Sequence, residues 1–133
     1  MSTFTVELGQ LPMRRDVQVA DGDAHRDYFT LQVDGTATSL TDAAWTLIIS
    51  DHPGGTATIT KTTTSNWTAS GIKIDDAAAG QFTVSVVPAD VTTLTPGEHY
   101  YEVTVTFPAG HDTLPSAVKT ILHGKFVVRE DTA

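Results

Sequence analysis

The side chains of this sequence that could form a zinc site are its histidines. They occur at five positions, His25, His52, His99, His111 and His123. Zinc ligands recur at short spacings such as HxH, HxxxH or HExxH, because only converging imidazoles can share one ion. None of these spacings occurs here, and no two histidines lie on one face of a predicted strand. We therefore predict no metal site.

Two acidic segments are the candidates for a calcium site. They are Asp21-Gly22-Asp23 and Asp75-Asp76. Calcium-binding loops place several carboxylates at alternating positions, and here only Asp21 and Asp23 alternate. Asp and Gly also favour tight turns. We interpret the first segment as a turn that precedes a strand, and we predict no cofactor.

Motifs for catalysis are equally sparse. A serine nucleophile needs a positioned base and acid, but no GxSxG motif occurs, and Ser70 and Ser116 are isolated. Residues 52–56, HPGGT, lack the Lys-Ser/Thr pair of a phosphate-binding loop. Residues 66–68, NWT, match a glycosylation acceptor, which we attribute to chance. The glutamates are too few to indicate a glycosidase pair, and most lie on predicted exposed faces: Glu7, Glu98, Glu102 and Glu130. We predict a non-enzymatic protein without catalytic residues.

Composition limits the partners and the cell compartment. Eight Lys and Arg against 16 Asp and Glu give a net charge of -8, which disfavours nucleic acid and anionic membrane surfaces. Cysteine is absent, so no disulfide or thiol chemistry is available. The N-terminus lacks the pattern of a secretion signal, and no apolar run approaches the roughly 20 residues of a membrane span. We expect synthesis in a cytoplasm and no secretion.

The elements that position these residues are predicted to be strands. Apolar residues alternate with polar ones over short runs that end at turn signals such as Asp34-Gly35 and Pro88. Two segments, 88–94 and 39–44, could each form one helical turn, which is too little to cover a sheet. The sheets must therefore cover each other. The 133 residues predict one domain, 1–133, an all-β, immunoglobulin-like antiparallel β-sandwich of about eight short strands. Residues 1–14 form either its first strand or an N-terminal arm.

Aromatic side chains decide between a packed scaffold and a binding platform. Trp45 and Tyr101 are in phase with apolar neighbours, which predicts burial. Tyr28 and Tyr100 fall on the opposite, polar faces of their strands. Residues 94–100 have the L-x-x-G-x-x-Y spacing of a tyrosine corner, so Tyr100 is predicted to bond back to the turn or to face solvent.

Several segments taken together resemble the small immunoglobulin-like domains of tailed-bacteriophage virions, in particular the N-terminal domain of phage baseplate upper proteins. The resemblance extends over residues 15 to 130 and is carried by turn and core signals. These are Gly22-Asp23, Asp34-Gly35, Leu40-Thr41, Gly80 to Pro88, Leu94 to Val103 and Ile121 to Val128. Two adjacent tyrosines, Tyr100 and Tyr101, stand where that pattern has a residue between them.

The resemblance implies a structural protein of a phage particle, acting as a tail or baseplate assembly or adaptor subunit. Its implied partners are other virion proteins, as a homo-oligomer or a symmetric ring on a larger assembly, and its implied location is the virion. A capsid decoration protein on the same scaffold is one alternative. A carbohydrate-binding or adhesin module is the other, and it would require exposed aromatic side chains.

Overall fold

The computed structural model describes residues 3–7, 13–33, 35–40, 43–63, 71–107 and 118–130. His111, Ser70, Ser116, the 66–68 motif and part of the predicted turn at 39–44 lie outside these ranges. The described residues form eleven strands and one short helix, which confirms the predicted all-β sandwich. The elements are β1 Thr3–Glu7, β2 Met13–Arg14, β3 Val17–Ala20, β4 His25–Val33, β5 Thr36–Ala37, β6 Ala44–Ser50, β7 Ala57–Thr63, β8 Gly71–Asp76, β9 Gln81–Val86, α1 Pro88–Thr93, β10 Gly97–Thr106 and β11 Val118–Arg129.

The strands form two sheets. The first has the order β1-β4-β9-β8, with β5 paired to β4, and the second has the order β2-β11-β10-β6-β7, with β3 paired to β11. Three pairings are parallel, β1 with β4 and both β2 and β3 with β11, so the sheets are mixed rather than purely antiparallel as predicted. All three involve strands β1, β2 and β3, which we call the N-terminal segment. β1 lies at one edge of the first sheet, and β2 and β3 lie at one edge of the second.

An aromatic stack joins the two sheets through the core. Trp45 of β6 packs on Phe82 of β9, with ring centroids 4.6 Å apart. Phe82 in turn stacks on Phe29 of β4 at 5.2 Å, and Phe29 contacts Phe4 of β1 at 5.6 Å. Trp45, Phe29 and Phe82 are almost fully buried. Aromatic side chains contribute the largest apolar areas of any residue type, so this stack is a main source of attraction between the sheets.

The helix α1 is the one predicted from its proline and aspartate. Pro88 occupies the first turn, and the carbonyl of Val87 accepts hydrogen bonds from the N–H groups of Asp90 and Val91. Val91 and Leu94 point into the core. Lys61 of β7 forms an ion pair with Asp90 at 3.3 Å, which ties the helix to the second sheet. Among the described residues, no helix reaches the length and hydrophobicity needed to cross a membrane.

Gly80 begins the strand motif at 80–88 for a steric reason. Its φ of 71° lies in the left-handed region. A Cβ atom there would lie 2.6 Å from the carbonyl oxygen of Leu31 and 2.8 Å from that of Thr38. The close approach lets the Gly80 carbonyl accept the Leu31 N–H at 2.9 Å. Any side chain at this position would push the β8–β9 turn away from β4.

Candidate functional site

A concave surface of the described residues lies on the outer face of the second sheet. Strands β6, β10 and β11 form its floor, with β2 along one side and the loop at 53–55 along another. Its volume is about 630 Å³, within the range of small-molecule binding sites. We call this surface the outer cleft. Its lining residues are Arg14, Ile48, Ser50, Pro53, Gly54, Gly55, Tyr100, Tyr101, Glu102, Thr120, His123 and Gly124.

Strand alternation places the side chains of the outer cleft. In β10 the residues at 99, 101, 103 and 105 are buried, so Tyr100 and Glu102 face outward. Glu102 is directly opposite Ile48 on β6 and His123 on β11, and His123 is opposite Arg14 on β2. Neighbouring strands are about 4.8 Å apart, so these residues form a continuous row across four strands.

The charges at the rim of the outer cleft are compensated by neighbours. Lys125 forms an ion pair with Glu98 at 2.8 Å, and hydrogen bonding to Glu98 raises the pKa of the Lys125 ammonium. Arg14 pairs with Asp16 at 3.2 Å. The backbone N–H of Lys125 also donates to Asp16 at 2.9 Å, and this bond holds the pKa of Asp16 below its usual value. Both pairs are exposed, so each contributes little stability.

Three side chains of the outer cleft have unused hydrogen-bonding groups. Tyr100, Glu102 and His123 form no side-chain hydrogen bond or ion pair with the rest of the chain that the structure describes. A carboxylate accepts hydrogen bonds, whereas a phenol and an imidazole can each donate and accept them. The floor of the outer cleft therefore presents donors and acceptors next to an aromatic ring and the apolar side chain of Ile48.

A second polar cluster is buried between the N-terminal segment and the sheets. The Asp27 carboxylate accepts hydrogen bonds from the Arg15 guanidinium at 3.2 Å, and His25 Nε2 lies 2.9 Å from its other oxygen. The Asp27 side chain is 9% exposed. Burial alone would raise its pKa, but the bonds to His25 and Arg15 outweigh burial and lower it. The guanidinium also lies 4.4 Å from the ring centre of Phe4.

Tyr101 anchors the same segment from the other side. Its ring is 6% exposed, and its hydroxyl donates to the backbone carbonyl of Arg15. Burial raises the pKa of Tyr101, with the nearby Asp27 carboxylate acting in the same direction. The hydroxyl-to-backbone bond predicted for Tyr100 is therefore formed by Tyr101, because the inward face of β10 points toward the N-terminal segment. A Cβ atom on Gly124 would collide with the Arg15 carbonyl oxygen, so glycine lets this segment lie against β11.

The histidines considered as possible metal ligands do not come together in the described part of the structure. No group of three or more His, Asp or Glu side chains converges among the described residues. His99 is buried at the start of β10, where Nε2 bonds to the carbonyl of Thr95 at 2.7 Å. Its Nδ1 lies 3.2 Å from the carboxylate of Asp51 without forming a hydrogen bond. His52 is exposed in the loop after β6.

The first acidic segment forms a turn, and the second is the end of strand β8. The N–H of Asp23 donates to the carbonyl of Ala20 at 3.0 Å, and Gly22 has a φ of 85°, so residues 20–23 are a turn before β4. Asp75 accepts the hydroxyl of Thr83, and Asp76 accepts the N–H of Ala79 at 3.2 Å. The turn interpretation of the first segment therefore agrees with the structure, while Asp75 and Asp76 end strand β8 and accept hydrogen bonds from neighbouring residues.

Sequence reasoning missed the Arg15–His25–Asp27 cluster. The available signal was the phase of Asp27, which alternates with Phe29 and Leu31 and therefore had to point inward. A buried carboxylate requires a partner, and His25 lies on the same face of β4 two residues earlier, whereas the adjacent Arg26 is on the exposed face. The pairing itself depends on the path of the N-terminal segment, which a single sequence does not reveal.

The comparisons with known proteins show the fold. A similar solved structure is the N-terminal domain of phage TP901-1 ORF48, with a TM-score of 0.55 and 11% sequence identity. The match covers 96% of this chain and 96% of that one. No protein-family model matches the sequence, and no curated protein matches it either. This domain of a phage protein has the fold that the motifs at Gly80–Pro88 and Leu94–Val103 predicted.

Proposed function

We propose that this protein is a non-enzymatic structural subunit of a tailed-phage particle and acts in the tail or baseplate as an assembly or adaptor subunit. The observation that carries the proposal is the fold match to a phage domain over 96% of both chains. A match of this extent involves the whole sandwich rather than one hairpin. The role is proposed by analogy, because one fold can serve several functions.

The surface of the sandwich suits attachment to neighbouring subunits. In the described part of the chain, β1 and β8 are the first and last strands of the order β1-β4-β9-β8 in the first sheet. In the second sheet, β7 is the last strand of the order β2-β11-β10-β6-β7. Outer strands present backbone N–H and C=O groups to which a partner strand can add. We propose protein partners from the same particle, arranged as a homo-oligomer or a symmetric ring, since virion parts repeat by symmetry.

Residues 1–133 are proposed to form one domain, in which residues 1–14 supply the first strand rather than a separate arm. Thr3–Glu7 pairs with β4, and Met13–Arg14 pairs with β11, so the N-terminal segment contributes to both sheets. The Arg15–Asp27 ion pair and the Tyr101 bond to Arg15 support the same proposal. These contacts tie the described N-terminal strands to the sandwich, which suits an adaptor that passes load between neighbouring subunits.

The test is to locate the protein in particles. Particles released from a host that carries the gene are purified, and the protein is sought by mass spectrometry and then by labelling in electron micrographs. We expect it in purified particles at a tail or baseplate position. Its absence from particles would contradict the proposal.

Capsid decoration is the alternative location for the same scaffold. It requires the same non-enzymatic fold and differs in where the subunit binds. Label on the head instead of the tail would establish this alternative and exclude the tail role. The neighbouring genes provide an independent check, because tail genes and head genes are expected to form separate groups.

A further inference from the structure

We propose that the outer cleft binds a neutral saccharide, in a site formed by Tyr100, Glu102, His123 and Ile48. The proposal is independent of the particle location, because it concerns a ligand of this chain and not its place in an assembly. It rests on the size of the cleft, the balance of its charges and the chemistry of its floor.

Charge determines which ligands fit. Two cations near the outer cleft are paired in the described part of the chain, Lys125 with Glu98 and Arg14 with Asp16. Glu102 on the floor would repel a phosphate or carboxylate, and the chain carries a net charge of -8. A metal ion is disfavoured because no group of three or more metal-ligating side chains converges among the described residues. An uncharged polar ligand suits a cleft whose flanking charges near Arg14 and Lys125 are already paired.

The floor chemistry points to a sugar within that class. A pyranose ring has hydroxyl groups at its edge and an apolar C–H face. The Tyr100 ring and Ile48 supply apolar contact area for that face. Glu102 and His123 face each other across β10 and β11 and supply an acceptor and a donor for hydroxyl groups. Neither has to break a bond to another described side chain in order to bind.

The site is preformed by the sheet. Tyr100, Glu102 and His123 are on the central strands of the second sheet, which are hydrogen-bonded on both sides. A volume of about 630 Å³ accommodates a short oligosaccharide rather than a single ion. Because the described residues leave the cleft open to solvent, we expect weak binding, with a dissociation constant in the millimolar range.

The test is a nitrogen-15 NMR titration of the full chain with maltose, lactose and diacetylchitobiose, and with glucose 1-phosphate as an anionic comparison. We expect at least one neutral sugar to cause saturable shifts at the backbone amides of Ile48, Tyr100, Glu102 and His123. Tyr100→Ala should weaken that binding by about tenfold or more, and Glu102→Gln should weaken it less.

Tyr28→Ala is the matched control, because Tyr28 is an equally half-buried tyrosine on the outer face of the first sheet. It should leave sugar binding unchanged, and the NMR spectrum of each variant shows directly whether it is folded. Three outcomes overturn the proposal: no neutral sugar shifts the cleft amides, only glucose 1-phosphate does, or binding survives in folded Tyr100→Ala.

Discussion

Replacement of Tyr101 tests the central packing argument, because two adjacent tyrosines of β10 have opposite environments. Tyr101 is 6% exposed, lies edge-on to Phe126 with ring centroids 6.4 Å apart, and bonds through its hydroxyl to the Arg15 carbonyl. Tyr100 faces the outer cleft and is half-buried. The same substitution at the two positions should therefore have very different effects on the free energy of unfolding.

The expected magnitude for Tyr101→Ala follows from the buried ring and its hydrogen bond. Truncating a buried aromatic side chain costs about 3–5 kcal/mol, because a cavity remains. Tyr101→Phe keeps the ring and removes only the hydroxyl, which leaves the Arg15 carbonyl without its partner and should cost about 1–2 kcal/mol. Tyr100→Ala should cost less than about 1 kcal/mol, as for other substitutions at solvent-facing positions.

The assay is urea unfolding followed by circular dichroism, with thermal unfolding as a check. For a domain of this size, each kcal/mol lowers the unfolding temperature by about 3–5 °C, so Tyr101→Ala should lower it by about 9–25 °C. Equal losses for Tyr101→Ala and Tyr100→Ala would refute the assignment of the two faces of β10. A Tyr101→Phe variant as stable as the wild type would refute the anchoring role of the hydroxyl.

Two further predictions concern the N-terminal segment. Asp27→Asn should cost about 1–3 kcal/mol at neutral pH, because Arg15 loses a charged partner. Since the folded-state pKa of Asp27 is lowered from 3.8, its contribution is present above that pH and lost as the pH falls below it. The difference between wild type and variant should therefore shrink in acid unfolding series, and a constant difference would contradict the network. Gly124→Ala should cost about 1–3 kcal/mol by collision with the Arg15 carbonyl. Gly55→Ala is its control, because there the atoms nearest to the new methyl group belong to the exposed ring of His52. Equal unfolding midpoints for the two variants would contradict the close contact between Gly124 and the Arg15 carbonyl.

The sequence alone determined the fold class and the direction of most side chains. Period-two alternation in β4, β6 and β10 requires one face to be buried, so Phe29, Trp45 and Tyr101 could be placed in the core without coordinates. Pro88 and Asp90 marked the helix for similarly local reasons. Alternation and turn chemistry depend on neighbours a few residues away, which is why they can be predicted from one chain.

The path of the N-terminal segment was decided only by the tertiary structure. Its parallel pairing with β4 and β11, and the contact of Arg15 with Asp27 and Tyr101, join residues far apart in sequence. A run such as MRR carries no local signal for a partner strand, because an ion pair is set by where the sheets bring its members. The composition of the outer cleft was also decided by the tertiary structure. Alternation turns Tyr100 and Glu102 outward, but strand order alone places His123 and Ile48 on either side of Glu102.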